Sequence, residues 1–206
     1  MTAQSESSQP GRPALTREII VDAARQMVST SGLAALSLRK LAAELGVTAP
    51  ALYAHVRDKA DLLKQLADAG FRELLGRYAE IDTDDPIERI RQQSLIYVDL
   101  AVADPGLFTV MFMFRPGPLN EPGVEAQLPV ASEAFEQPAR AIAEAIDAGS
   151  IDAGHDPFLT ALTLWTVAHG LAQVMLLGVS ADPDGRSRLE EAVLGATLRG
   201  LHYPPG

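Results

Sequence analysis

The chain has 206 residues, 47% hydrophobic and 21% charged, with a formal net charge of −10 at pH 7. That composition is ordinary for a globular protein, excludes a disordered chain, and leaves room for one or two domains with a real core. The absence of cysteine excludes a disulfide framework, thiolate metal sites and cysteine nucleophiles, and favours a reducing compartment.

Residues 1–13, MTAQSESSQPGRP, are polar, lack the apolar run of a secretory signal, and read as a flexible tail. Helical periodicity dominates the chain from residue 14 onward. Thr16 caps a first helix with Ile20, Ala23, Ala24, Met27 and Val28 on its apolar face, and Gly32 ends it. Ser37 caps a second, LRKLAAEL, stopped by Gly46, and Thr48 caps a short third with Pro50 in its first turn. Asp58 caps a fourth helix through about Ala79. DTDDP, residues 82–86, is a turn and a domain boundary. Beyond it, helices are predicted over Ile87–Ala103, over GLFTVMFM after Asp104-Pro105, over about Gln127–Ala148, from Asp156-Pro157 to about Leu177, and over Arg186–Leu201. RPGPLNEPG, residues 115–123, holds too many breakers to be helical.

The predicted fold class is therefore all-α, with about nine helices: a tail over 1–13, a helix-turn-helix domain over 14–64, a fourth helix (58–79) that connects, and a second helical domain over 80–206. One segment, FLTALTLWTVAHGLAQVMLLGV, has the length of a membrane span. Its threonines, His169 and Gln173, and its acidic flanks Asp156 and Asp182, fit a buried interface helix better, so no membrane is expected.

Charge is unevenly spread. Residues 1–64 carry eight basic and six acidic side chains, a net of +2, and the remaining 142 carry nine and 21, a net of −12. Such asymmetry suggests an anion-facing head on an acidic body that suppresses non-specific DNA affinity. Two short helices joined by GVT and braced by a preceding helix form a helix-turn-helix. Small Ala49, Pro50 and Ala51 let the third helix approach a groove closely, and its N-terminus with Thr48 suits a phosphate. Arg39, Tyr53, His55 and Lys59 supply donors around it. The competing reading is an ordinary helical hairpin with Tyr53 in its core.

The stretch TREIIVDAARQMVSTSGLAALSLRKLAAELGVTAPALYAHVRDKADLL, and above all LSLRKLAAELGV and LYAHVRDKADLL, closely resembles the DNA-binding domain of the tetracycline-repressor (TetR) family of bacterial transcriptional regulators. The resemblance implies an all-helical, cytoplasmic homodimer whose N-terminal heads read a palindromic operator in double-stranded DNA and whose larger domain binds a small effector. By position in the motif, Arg39 contacts base or phosphate, and Thr48, Tyr53, His55 and Lys59 anchor the DNA backbone. Ala49, Pro50 and Ala51 face base edges. Ala54 is small where several relatives place a bulky base-contacting side chain, so readout leans on Arg39, apolar contacts to thymine methyls and DNA shape. Arg12 in the tail either probes a minor groove or is simply solvated.

ADPGLFTVMFMF and LWTVAHGLA resemble the subgroup with a Trp-His-Gly C-terminal signature, here Trp165, His169 and Gly170. On the functional reading Leu107, Phe108, Met111, Phe112, Phe135, Trp165 and His169 line an apolar ligand pocket. On the other they are core, with His169 a hydrogen-bonded buried histidine. The last two helices are expected to pair with their symmetry mates. No nucleophile elbow, phosphate loop or His-Glu-x-x-His motif occurs, so neither an enzyme, a metal site nor a cofactor is expected. The alternative function is a helical ligand-binding or interaction protein without specific DNA binding.

Overall fold

The structure, a computed structural model, describes residues 14–114, 128–179 and 182–201. Arg12 with the rest of the predicted tail, and the breaker-rich stretch 115–123, lie outside the described residues. All described elements are helical, so the all-α class stands.

The head follows its caps. α1 (Arg17–Ser31) starts where Thr16 accepts from Ile19 N–H at 3.3 Å. α2 (Leu38–Leu45) starts where Ser37 accepts from Lys40 N–H at 3.2 Å, and leaves through Gly46 at φ 61°, a left-handed conformation that glycine adopts without strain. Thr48 caps α3 (Ala49–Tyr53), and Asp58 caps α4 (Lys59–Ala79) through Asp61 N–H at 2.8 Å. α3 is too short to persist alone. Its anchor is Leu52, its one buried residue, whose burial contributes about 2 kcal/mol. Ile20, Ala24, Leu41, Val56, Leu62 and Leu66 complete the core beneath it.

In the body, Asp85 caps α5 (Pro86–Ala103), with Pro86 in its first turn. Asp104 ends α5 and caps α6 (Pro105–Met111); the chain turns by 113° between them. α6 stops at Met111, short of the predicted Met113. α7 (Pro129–Asp147) runs straight through Pro138, and α8 (Pro157–Leu176) is capped by Asp156. The last helix starts at Pro183, three residues before the predicted Arg186, because Asp182 accepts from Gly185 N–H at 2.8 Å. It comprises α9 (Pro183–Glu190), a π-helical turn (Glu191–Gly195) and α10 (Ala196–Gly200).

α5, α7 and α8 pack on one another, α4 lies across α7, and α6 is wedged against α1 and α4. The wedge is tight: a Cβ on Gly70 of α4 would lie 2.7 Å from Met111 Sδ, and one on Gly106 of α6 would lie 2.8 Å from Val28 Cγ1 of α1. One buried cluster runs from Ile20 in α1 through Phe71, Val98 and Met111 to Leu171 and Leu194. The turn at 80–85 thus separates helices without separating cores. α8 is long and apolar enough to cross a membrane, yet it contributes Ala161, Leu164, Ala168 and Leu171 to the cores it shares with α5 and α7.

Candidate nucleic-acid interface and ligand cavity

The head presents the predicted set outward. Arg39, Thr48, Ala49, Pro50, Ala51 and Lys59 are exposed, His55 is half-buried, and Tyr53 is 54% exposed, which removes the reading of Tyr53 as core. Thr48 Oγ1 accepts from Ala51 N–H at 3.4 Å, leaving its own hydroxyl proton free to donate. Lys59 Nζ lies 3.4 Å from the Leu33 carbonyl, which tethers its stem beside the α1–α2 connection. Arg39 and Lys40 make no ion pair among the described residues, whereas Arg57 is paired with Asp61. With five residues α3 has a small dipole, so anion binding at this surface rests on side-chain donors more than on the helix end. A small, apolar tip flanked by an arginine, a lysine, a phenol and a hydroxyl suits close approach to stacked bases between two phosphate rows.

A polar node joins head to body. Asp104, buried at the α5–α6 corner, accepts from Leu107 N–H at 2.9 Å, Arg25 Nε at 2.7 Å and Ser29 Oγ at 3.0 Å. Arg25 also reaches Glu73 of α4 at 2.8 Å. Burial alone would raise the Asp104 pKa, but Leu107 N–H, Arg25 and Ser29 outweigh it and hold the carboxyl below its ordinary range.

Between α4, α5, α7 and α8 lies an apolar cavity of about 50 Å³. Phe71, Leu74 and Tyr78 of α4 form one wall, Ile90, Gln93 and Tyr97 of α5 another, and Phe135 of α7 and Trp165 of α8 close it. Of the seven residues predicted to contact ligand, only Phe135 and Trp165 line this cavity. Leu107, Phe108 and Met111 are instead buried in the packing of α6, which the 113° turn drives beneath α1 and α4. Phe112 stacks edge-on to Phe71 and Phe108, at 5.8 and 5.0 Å between ring centres. His169 lies behind the wall: its Nδ1 is 2.8 Å from Tyr97 Oη, and its ring stacks on Phe108 at 5.4 Å. Burial lowers the His169 pKa and pushes that of Tyr97 far up, so a protonated phenol meets a neutral imidazole whose tautomer sets which of the two donates. Trp165 Nε1 donates to the same phenol oxygen at 3.1 Å. Trp165 and His169 are therefore pinned on one tyrosine.

Sequence reading missed Tyr97, Gln93 and the α4 wall. The signal was present: Ile90, Gln93, Ser94, Tyr97 and Ala101 recur at helical spacing on the buried face of α5, with polar residues in an apolar register.

Comparison with known proteins gives two matches, separated by residues 67–89. Residues 20–66 match the family described as bacterial regulatory proteins, tetR family, and residues 90–196, more than half of the chain, match the tetracyclin repressor-like C-terminal domain. The chain belongs to the TetR family. Among TetR-family proteins it is 45% identical over 53 residues to the class D tetracycline repressor protein of Escherichia coli, a match that covers 26% of this chain and 24% of that one. The chain thus spans about a quarter of that relative's length. An uncharacterised helix-turn-helix-type transcriptional regulator of Mycobacterium tuberculosis is 26% identical over 189 residues, 89% of this chain and 81% of that one. A Rhodococcus protein of unknown function superposes with a TM-score of 0.77 at 27% identity, over 97% of this chain and 100% of the other. A TetR variant of Acinetobacter baumannii in complex with minocycline shares the fold, with a TM-score of 0.64 at 21% identity over 90% and 96% of the two chains.

Proposed function

We propose that this TetR-family protein is a cytoplasmic, ligand-responsive repressor that grips a palindromic operator as a homodimer and releases it when a small apolar effector fills the cavity. Residues 14–64 serve as the reading head, with Arg39, Thr48, Tyr53, His55 and Lys59 on the DNA backbone and Ala49, Pro50 and Ala51 at the base edges. Residues 80–206 bind effector and dimerise, and the pinned Trp165–His169 pair with Gly170 supports assignment to the Trp-His-Gly subgroup.

The observation that carries this reading is that Phe71, Leu74 and Tyr78 of the cavity wall belong to α4, whose other end, Lys59, is part of the recognition unit. A helix rises about 1.5 Å per residue, so Tyr78 and Lys59 lie roughly 28 Å apart along one rigid rod. A pivot of about 5° at the cavity moves Lys59 by roughly 2.5 Å, enough to break hydrogen-bond register with a phosphate. An apolar cavity of about 150 Å³ is what holds a single benzene ring. Filling a cavity of about 50 Å³ must therefore displace its walls.

Dimerisation through the last two helices is supported by the outer face of α8. Leu159, Leu162, Thr166, Gly170, Val174 and Leu177 form an exposed stripe at helical spacing, with Leu159 at 60% and Leu177 at 81% exposure. Thr163 and Thr166 donate to Leu159 and Leu162 carbonyls at 2.8 Å, so the stripe offers no unpaired hydroxyl proton to a dry interface. Ala192, Ala196 and Gly200 add a small-residue track on the neighbouring helix. The double variant Leu159→Arg, Leu177→Arg is expected to sediment as a folded monomer and to lose at least ~100-fold in affinity for a two-half-site duplex, the avidity of paired heads. A variant that stays dimeric, or a monomer that binds as tightly as the parent, contradicts this reading.

A further inference from the structure

The cavity is apolar except at one edge. Gln93 lines it, is only 6% exposed, and has a fully buried Oε1 with no hydrogen-bond partner. Its neighbours cannot supply one: Ser94 Oγ donates to the Ile90 carbonyl at 3.0 Å, and Tyr97 Oη is committed to His169 and Trp165. A buried amide end without a partner is a cost that folded cores ordinarily avoid.

A second, independent feature stands on α7. Pro138 has no N–H to give, so the Ala134 carbonyl loses its donor one turn on, and both residues line the same cavity. Gln93 thus brings a polar end without a partner to a space lined mostly by apolar side chains. Among the described residues, no Asp, Glu, Lys, Arg or His lines it.

We infer that the effector of this cavity is a neutral, mainly aromatic molecule carrying one hydrogen-bonding group of the amide or hydroxyl kind, which Gln93 recognises. The inference rests on the ligand-responsive function proposed for the cavity and adds the chemistry of the ligand. Phe71, Phe135 and Trp165 offer ring faces and edges to a flat body. A carboxylate or an ammonium group would leave water for a space with no counter-ion and be rejected.

Trp165 is the single tryptophan of the chain and lines the cavity, so its fluorescence reports occupancy directly. Benzamide, benzoate and cumene have one size and differ in charge and hydrogen bonding. Each is titrated into the full-length protein and into Gln93→Leu, with Gln93→Met as a second, unbranched replacement. In the parent, benzamide should perturb Trp165 at concentrations at least ~10-fold lower than benzoate, because a site built around a hydrogen bond discriminates strongly. Gln93→Leu and Gln93→Met should melt higher, lose benzamide by at least ~10-fold and gain cumene. Benzoate binding as well as benzamide, or benzamide affinity unchanged in the variants, overturns the inference while cumene binding still upholds a ligand cavity. Silence of Trp165 towards all three probes in every protein overturns both.

Discussion

Ala51→Glu is expected to abolish sequence-specific DNA binding, weakening operator affinity by at least ~100-fold, or about 3 kcal/mol, while leaving the fold intact. Ala51 is exposed on α3, and the side chain next to it in sequence, Leu52, does the anchoring. Glutamate is a sound helix former, and an exposed substitution of this kind shifts stability by only about 0.5 kcal/mol. Against DNA it adds bulk where close approach is needed and places a carboxylate between phosphate rows. Ala79→Glu, at the far end of α4, adds the same charge away from the head and serves as the control. Fluorescence anisotropy with a labelled duplex decides the matter. Equal losses in both variants would reduce the effect to net charge, and no loss in Ala51→Glu would remove α3 from the interface.

Asp104→Ala is expected to cost about 3 kcal/mol of stability. The change removes the cap of α6 and strands Ser29 and the inner side of Arg25. A lost cap is worth about 1 kcal/mol and a broken, largely buried ion pair up to about 3–5. The lower total reflects solvent at Arg25, whose side chain is 36% exposed. For a chain of this size the melting temperature should fall by about 6–12 °C. Asp104→Asn, which keeps an acceptor, should fall less. Because the folded-state pKa of Asp104 lies below its unfolded value, its contribution is complete at neutral pH and disappears as pH falls below about 4. The difference between parent and variant should therefore shrink on acidification. A melting temperature within about 2 °C of the parent at pH 7 would show that the node does not hold α6 against α1.

How much of the fold and site was legible depended on the range of the interactions involved. The caps Thr16, Ser37, Thr48 and Asp58 act within three residues, and the head folds as they specify. Exposure of Tyr53 follows from the one-anchor geometry of α3, which the pattern around Leu52 carries. The cavity was not legible in the same way. GLFTVMFM looks like pocket lining because it is aromatic and rich in methionine. Its destination is set by the sharp turn at Asp104 and by the two glycines, Gly70 and Gly106, that admit α6 against its neighbours. Those are contacts between residues far apart in sequence, and no local pattern announces them. Pro138 shows the converse: it looks like a helix breaker, but a helix buried against α5 and α8 absorbs one missing bond. The π-helical turn at Glu191–Gly195 left no signal that periodicity could register.

A pair of heads reading a two-fold operator is central to the proposed function. Selection of the purified full-length protein against a pool of randomised duplex DNA at low salt tests it most directly. The expected result is enrichment of a palindrome with half-site centres one helical turn apart, about 34–36 Å, or a multiple of it. A pool that stays random where electrostatic binding is strongest, or one that converges on a single unpaired half-site, would contradict it.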